Sequence, residues 1–416
     1  MNGRVWILLS VVLLAGCRQA SRVAPVVATS TKPAPVPSAK ATILPKRPPA
    51  SPTESPVLAT VWSKDPSVPI LLYHQFAPDA TPTPASIKSR APDLRLANKG
   101  NVSTATKVRL SDFRKELDNL YQSGYSLVSF QKWVEGDLEL PAGRHPLILT
   151  MDDLFFNNQI TLQDDGTPSP ETGIGILWQF YQEHPDFGFH LALFVNLGDK
   201  LYANPDNPNW QDKLAAAIVW CIEHDAMPYN HTYTHARLDR TDVAGIKFQL
   251  SQNDLYLRQL LLRAGRSDLI PSLGNYLALP YDIWPTSKAG VDAIQEYVNP
   301  EGQPMQGVLE ADYVIRERLL PPPYSAQFDR WHIPRITATL DAVSTLVQQS
   351  SQMPSATTCN LGPAPDDSNV LRNLIGGAIH SGACPPGIYV TRGYIFDATM
   401  PADVKLVFSA PASDAP

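Results

Sequence analysis

Two histidines four residues apart are the residues best suited to chemistry in this chain of 416 residues. They lie in the run Asn230-His231-Thr232-Tyr233-Thr234-His235. A helical turn or a short strand-to-turn segment can direct two residues at this spacing to one side of the backbone. Imidazole nitrogens bind zinc, nickel, cobalt or iron in preference to magnesium or calcium. The pair therefore predicts a metal site, the alternative being two surface histidines on a polar loop.

A pair of carboxylates can complete such a site. Asp152 and Asp153 follow the apolar run 147–151, which is typical of a buried strand. The carboxyl ends of strands are where β/α folds place their chemistry. Adjacent carboxylates repel each other, and a cation that binds one of them leaves the other free as a base. The alternative is an Asp-Asp turn or helix cap. Together with the two histidines, the pair predicts an Asp-His-His metal site with a neighbouring base.

These motifs resemble those of the polysaccharide deacetylase family, the NodB-homology domain of carbohydrate esterase family 4. The segments 150–154, 230–235 and Leu279-Pro280-Tyr281 resemble the family's first, second and third motifs, and the match extends from about residue 68 to 336. The resemblance implies a distorted (β/α) barrel of about seven strands. The alternating strand and helix patterns favour a parallel β/α sheet or barrel without distinguishing between the two.

The resemblance also implies roles for individual residues. Asp153, His231 and His235 would hold one divalent metal, with zinc preferred and cobalt, nickel or iron as alternatives. Asp152 would act as general base, and the backbone N–H of Tyr281 would bind the developing oxyanion. The implied reaction is removal of N-acetyl groups from a cell-envelope or extracellular polysaccharide. Hydrolysis of an O-acetyl ester at the same site is an alternative.

Three departures from the family pattern leave a second class of function open. Leu154 occupies the position of a glycine, and Ala278 that of an arginine which orients the catalytic aspartate in the family. The family's later histidine, a general acid, has no clear counterpart, and the candidates are His332 and His380, with a structural histidine as the alternative for each. His74 follows a buried strand and is predicted either to line the pocket or to be a hydrogen-bonded core histidine. The alternative function is therefore a non-catalytic, glycan-binding lipoprotein with a degenerate deacetylase site.

The start of the sequence predicts export and a lipid anchor. Arg4 precedes the apolar run 5–14, and Leu14-Ala15-Gly16-Cys17 resembles a bacterial lipoprotein cleavage box. A core of this length is too short to span a bilayer as a mature helix. We expect residues 1–17 to be a signal peptide and Cys17 to be lipidated, which would hold the protein on the extracytoplasmic side of a membrane. An ordinary secretory signal is the alternative.

Composition divides the rest of the chain. Residues 18–60 contain nine prolines, no aromatic residue and one acid, a composition that predicts a disordered linker. We expect residues 61–336 to form the catalytic domain and 337–416 to be an elaboration of it without an assigned role. The net charge of −6 comes with no basic cluster interleaved with aromatic residues, which argues against nucleic acid as a partner.

The cysteines beyond Cys17 fall into two kinds. Cys359 and Cys384 lie in polar surroundings rich in glycine and proline, which predicts a disulfide in an exported chain. Cys221 ends the apolar run 215–221 and is predicted to be a buried thiol.

Overall fold

A computed structural model of the chain describes residues 56–79, 107–154, 158–198, 209–311, 320–400 and 402–409. The predicted signal peptide, Cys17 and the linker up to residue 55 lie outside the described residues. The strands are β1 Pro56–Trp62, β2 Ile70–Tyr73, β3 Gln75–Ala77, β4 Lys107–Arg109, β5 Tyr125–Leu127, β6 His145–Asp152, β7 Leu191–Val195, β8 Ala226–Asn230, β9 Tyr276–Ala278, β10 Gly307–Leu309, β11 Ile336–Thr337, β12 Ala356–Pro363, β13 Gly387–Thr391, β14 Tyr394–Ala398 and β15 Lys405–Ser409.

Helices follow most strands of the first two thirds of the chain, as the alternating pattern predicts. The α-helices are α1 Leu110–Gln122, α2 Phe130–Val134, α3 Gly173–Glu183, α4 Trp210–Glu223, α5 Val243–Arg263, α6 Lys288–Gln295, α7 Leu340–Gln349 and α8 Ser368–His380. None of the helices in the described ranges is long and apolar enough to cross a membrane.

The principal sheet is parallel and curls until its two edges are joined. Its strands follow the order β10-β9-β8-β7-β6-β2-β11, and β5 pairs with the start of β6. Every residue of β2 and β7 is buried, as expected for strands covered on both faces. At one edge Leu309 forms a parallel bridge with Ile333, and at the other Leu71 pairs with Ile336. The segment 333–337 therefore joins both edges, and the predicted distorted barrel of about seven strands is confirmed.

The helices bury one apolar face against this sheet. In α1, Phe113, Leu117 and Leu120 recur at helical spacing, have no exposed surface and belong to the core between helices and sheet. The helix ends before Gly124, whose φ of 86° is the left-handed conformation that favours glycine. The spacing of the apolar residues and the position of the glycine thus account for the buried face and the end of this helix.

A second, antiparallel sheet has the order β12-β1-β13-β14-β15. One face packs against α8, and the other adds Trp62, Ile388 and Val390 to the core inside the barrel. The backbone of Ala356 bonds to residues 143 and 144, directly before β6, so this layer covers the amino-terminal end of the barrel. We call the antiparallel sheet with α8 the appended layer.

The structure differs from the predicted boundary between the linker and the folded domain at residue 60. Residues 56–60 fall within the predicted linker, yet they form most of β1, between β12 and β13. Val57, Ala59 and Val61 alternate with more exposed residues and point into the core of the appended layer. The alternation lets this short run bury an apolar face, so residues 56–60 belong to the appended layer and not to the predicted linker.

The structure pairs Cys359 with Cys384 in a disulfide whose Cα atoms are 5.8 Å apart. This bond joins β12 to the segment that follows α8, within the appended layer. Cys221 is buried and free, and burial raises the pKa of its thiol.

Candidate metal centre

The loops after β6 and β8 bring the two sequence motifs together. β7 lies between these strands, with Asp152 in register with Phe194, and Val195 in register with Asn230. All three strands are parallel, so their carboxyl ends meet at the same edge of the sheet. The acidic motif and the histidine motif therefore lie at one mouth of the barrel, opposite the appended layer.

The side chains of Asp153, His231 and His235 offer ligand atoms that all lie within 4.8 Å of one another. The Nε2 atoms of both histidines are 3.7 Å from Oδ1 of Asp153. Two ligands of one zinc ion, each about 2.0–2.2 Å from it, lie roughly 3–3.5 Å from each other. Small side-chain movements would therefore let these three groups bind one ion. Two imidazoles and one carboxylate form a donor set suited to zinc and neighbouring divalent metals.

His231 is prepared for metal binding by its hydrogen bond and its burial. Its Nδ1 lies 2.9 Å from the carbonyl oxygen of Ala278. Since a carbonyl oxygen only accepts, Nδ1 carries the proton and the lone pair of Nε2 faces Asp153. Burial lowers the pKa of His231 to about 4, an effect that the charge of Asp152 opposes. The ring is therefore neutral at pH 7, as a metal ligand must be.

Asp152 forms hydrogen bonds with an arginine that comes late in the part of the chain that forms the barrel. Arg335 is fully buried, and its Nη1 and Nη2 donate to Oδ1 and Oδ2 of Asp152 at 2.6 and 2.8 Å. Burial raises the pKa of Asp152, but the charge of Arg335 and that of His231 outweigh burial and lower the pKa to about 2. Asp152 is therefore an oriented carboxylate at neutral pH. Arg335 supplies the partner that Ala278 does not.

Arg335 reaches Asp152 because of where the barrel closes. It lies in the segment that joins β10 to β2, and its Nε donates to the carbonyl oxygen of Glu310 at 3.1 Å. Its guanidinium carbon lies 5.2 Å from the ring centre of Phe194. Sequence reasoning missed this residue. The only signal was a charged side chain within the run Ile333-Pro334-Arg335-Ile336.

Of the three histidines predicted as pocket or acid candidates, the structure brings His74 to the site. It follows β2, and the charges of Asp152, Asp153, His235 and Arg335 act on it. Burial lowers its pKa, and the two aspartates oppose that effect. Its Nδ1 is buried without a hydrogen-bond partner among the described residues.

The other two candidates lie elsewhere. His332 has 52% of its side chain exposed, and its Nδ1 lies 2.7 Å from Oε1 of Glu310. The indole N–H of Trp284 donates to the same oxygen at 2.6 Å. His380 is the last residue of α8, in the appended layer.

Gln159 connects the two strands that carry His74 and Asp152. Its Nε2 donates to the backbone carbonyls of both residues, and the side chain is fully buried. No motif in the sequence marks Gln159 as a site residue. Its role in joining strand ends is visible only in three dimensions.

Several site residues adopt a left-handed backbone without being glycine. The φ angles are 57° at Asp153, 61° at Thr232, 52° at His235, 60° at Tyr281 and 57° at Asp282. Such conformations cost of the order of 1–3 kcal/mol each and persist where the surrounding structure holds them. They concentrate in the loops that carry the metal ligands and the third motif.

Tyr281 lies beside the metal ligands. Its ring centre is 4.3 Å from that of His235, and the guanidinium carbon of Arg237 lies 6.0 Å from its ring centre. Leu154, at the position of the family's glycine, has no exposed surface and packs in the core. The left-handed turn after Asp152 is instead made by Asp153.

Comparison with known proteins gave structural likenesses only. No family model matches the chain, and no curated protein matches it. A Streptococcus pyogenes deacetylase, PplD, in complex with acetate has a TM-score of 0.42 at 15% identity, covering 68% of this chain and 98% of that one. The putative polysaccharide deacetylase BA0330 from Bacillus anthracis has a TM-score of 0.41 at 14% identity, covering 68% and 69%. IcaB from Ammonifex degensii has a TM-score of 0.36 at 15% identity, covering 69% and 98%.

Proposed function

We propose that this protein is a hydrolase that depends on a divalent metal, zinc in the first place, and removes N-acetyl groups from a polysaccharide. The observation that carries this proposal is the convergence of Asp153, His231 and His235 beside a second carboxylate with its own cationic partner. A protein that had lost its catalytic function would be expected to lose the base and its arginine partner earlier than the residues of its core. The polysaccharide class comes from the resemblance of the three sequence motifs.

In the proposed reaction, the residues around the metal site have separate roles. A divalent ion held by Asp153, His231 and His235 would lower the pKa of a bound water towards about 7 and polarise the carbonyl oxygen of the acetyl group. Asp152 would take the proton from the attacking water, a contribution of roughly 10²–10⁴-fold when the base is well placed. Arg335 keeps that carboxylate ionised and fixes its plane through two hydrogen bonds. The backbone N–H of Tyr281 would bind the developing oxyanion.

His74 is our candidate for delivering a proton to the leaving amine. Its pKa is lowered by burial, so the imidazole is neutral before the reaction. His74 would therefore first accept the proton that Asp152 has removed from water, becoming an imidazolium. It would then donate that proton to the amine nitrogen as the C–N bond breaks, which returns both side chains to their starting states. His332 and His380 are not assigned this step, because His332 is exposed and paired with Glu310 and His380 lies in the appended layer.

The proposal includes an exported location with a lipid at Cys17. The cleavage-box pattern before Cys17 supports it, and an envelope polysaccharide would then lie within reach of the anchored protein. The disulfide between Cys359 and Cys384 also supports it, since such bonds persist mainly in oxidising compartments.

The test is acetate release from chitooligosaccharides, poly-N-acetylglucosamine, peptidoglycan and acetylated xylan. Metal-free protein would be compared with protein loaded with Zn²⁺ or Co²⁺. We expect metal-dependent release from at least one N-acetylated substrate. Release from xylan alone would replace the proposal with O-acetyl ester hydrolysis. Binding of an oligosaccharide without any release, at full metal occupancy, would replace it with a glycan-binding function.

A further inference from the structure

One turn of α5 presents polar side chains to the loops of the metal centre, where an ordinary core helix would present apolar ones. Gln249 and Asn253 are four residues apart, as are Leu250 and Asp254, so each pair lies on one side of the helix. Asn253 has no exposed surface. We call residues 249–254 the polar turn. Its contacts include the loop after β7, which in turn contacts Asp153, and the segment after β8, which carries His231 and His235.

Asn253 holds the end of β7, from which a second asparagine reaches the metal ligand Asp153. The side chain of Asn253 donates to the carbonyl oxygen of Val195 at 2.9 Å and accepts from the backbone N–H of Leu197 at 2.8 Å. The residue between them, Asn196, donates from Nδ2 to Oδ1 of Asp153 at 2.8 Å. This oxygen is also the one nearest to both histidine Nε2 atoms.

Asp254 holds the start of the histidine motif through Asn230. Nδ2 of Asn230 donates to Oδ1 of Asp254 at 2.7 Å and to the carbonyl oxygen of Leu250 at 2.9 Å. Oδ1 of Asn230 accepts from the backbone N–H of Thr232 at 2.8 Å. The ligand His231 lies between the two residues fixed in this way. The other oxygen of Asp254 accepts from the hydroxyl of Tyr297.

Gln249 holds the end of the same motif. Its carbonyl oxygen accepts from the backbone N–H of Tyr233 at 2.9 Å. Its side-chain Oε1 accepts from the N–H of Thr234, and its Nε2 donates to Oγ1 of Thr234, at 2.8 and 2.9 Å. The next residue is the ligand His235, whose backbone is left-handed.

We infer that the polar turn positions all three metal ligands as one unit, with Asn253, Asp254 and Gln249 as positioning residues. None of the three is a ligand. Their hydrogen bonds fix the backbone on both sides of His231, directly before His235, and on both sides of Asn196. The inference rests on the proposed function only in assuming that Asp153, His231 and His235 bind a metal. Outer partners of this kind are commonly worth about 10–100-fold in metal affinity.

The test measures zinc affinity of the full chain, by competition between the metal-free protein and a chromophoric chelator. Gln249→Ala, Asn253→Asp and Asp254→Leu should each weaken zinc binding by about 10-fold or more. Asn253→Asp keeps the side-chain shape and the acceptor for Leu197, but it replaces the donor to Val195 with a carboxylate oxygen that faces the carbonyl. Gln259→Ala is the matched control, because Gln259 is exposed on the same helix.

Two further readouts separate positioning from a general structural role. With Co²⁺ in place of zinc, the visible spectrum of each variant should change in shape, whereas a loss of stability alone would lower Tm and leave the spectrum intact. Combining Asn253→Asp with Asn196→Ala should weaken binding by less than the product of the single effects, since both act through Asp153.

The possible results distinguish this inference from the proposed function. Variants that bind zinc as tightly as the wild-type chain would overturn the inference and leave the proposed deacetylase function standing. Weakened binding in the variants, together with a wild-type chain that releases no acetate, would support the inference and overturn the function. A wild-type chain that binds no zinc or cobalt would overturn both.

Discussion

Asp152 and Asp153 are neighbours in the sequence, yet the structure gives them different surroundings. Asp153 faces the two histidines and Asn196, whereas Asp152 is buried against Arg335. The proposed separation of roles, one carboxylate for the metal and one for the proton, follows from these partners. Either role can be removed without the other.

Asp152→Asn should leave zinc affinity nearly unchanged and lower the rate of acetate release by about 10²-fold or more. The amide keeps the shape of the side chain but cannot accept the proton from water. Asp153→Ala, the paired control, should instead weaken zinc binding and lose activity for that reason. Near-normal acetate release by the Asn variant would contradict the role of Asp152 as base.

Arg335→Met should move the acid limb of the kcat/KM profile to higher pH. The charge of Arg335 holds the pKa of Asp152 low against burial, so its removal raises that pKa and protonates the base at higher pH. Arg335→Lys should shift the limb less, since it keeps the charge and loses the two-point geometry. Profiles would be recorded with zinc-saturated protein, and identical acid limbs in all three proteins would contradict the assignment.

The residues that converge at the candidate metal centre could be predicted from sequence because each motif is local. A strand-end Asp pair and a spaced His pair are visible within a few residues. Arg335 was not predictable in this way, because 183 residues separate it from Asp152 and only barrel closure brings them together. The role of the polar turn of α5 was not predicted for a related reason, because its side chains hydrogen-bond to loops that follow other strands.

At the scale of elements, the order of strands and helices followed from periodicity, but the partners of some elements did not. β1 is alternating and short, and nothing local to it indicates that it pairs with strands about 300 residues later. Its proline-rich neighbourhood favoured a linker. In α1 a charged residue type is likewise found where an apolar one is expected, because Glu116 lies on the buried face and is only 2% exposed.

Glu116 should make the stability of the fold depend on pH. Burial raises its pKa to about 7, while the hydroxyl of Tyr73, which donates to Oε2 at 2.9 Å, opposes this. Between the unfolded pKa near 4.3 and about 7, the folded chain retains a proton that the unfolded chain has lost. The free energy of unfolding therefore falls as pH rises through this window, by roughly 1–3 kcal/mol from this group.

Glu116→Gln should remove that contribution, because the amide stays neutral at every pH. Urea unfolding at pH 5 and pH 8 would show a smaller pH difference in the variant than in the wild-type chain. Asp118→Asn is the control, since the Asp118 side chain is 39% exposed on the same helix and should alter the pH difference little. An unchanged pH difference in Glu116→Gln would contradict the argument.

At the scale of the whole molecule, we expect membrane attachment through the proposed lipid anchor to be independent of the candidate metal centre. Cys17→Ser should release the protein from the membrane fraction, because no other lipid attachment site is predicted in the sequence. Zinc affinity and acetate release of the freed protein should match those of the anchored form. Retention of the Ser variant in membranes would argue for a different anchor.

The appended layer and the metal centre occupy opposite ends of the barrel, so their stabilities should respond to different changes. The Cys359–Cys384 disulfide closes a separation of 25 residues that contains all of α8. A cross-link over a loop of this length restricts the unfolded chain and typically stabilises by about 2–4 kcal/mol. Replacing both cysteines with serine should therefore lower the denaturant midpoint by an amount of that order.

The same double variant should bind zinc with unchanged affinity. The groups that position the ligands belong to β8, β9, α5 and the loop after β7, and none of them belongs to the appended layer. The measurement is zinc affinity beside urea unfolding on the same preparation, with Gln249→Ala as the opposite case. A folded cysteine variant that loses zinc affinity would show that the appended layer influences the geometry of the metal centre. The metal centre would then depend on the whole barrel rather than on the polar turn alone.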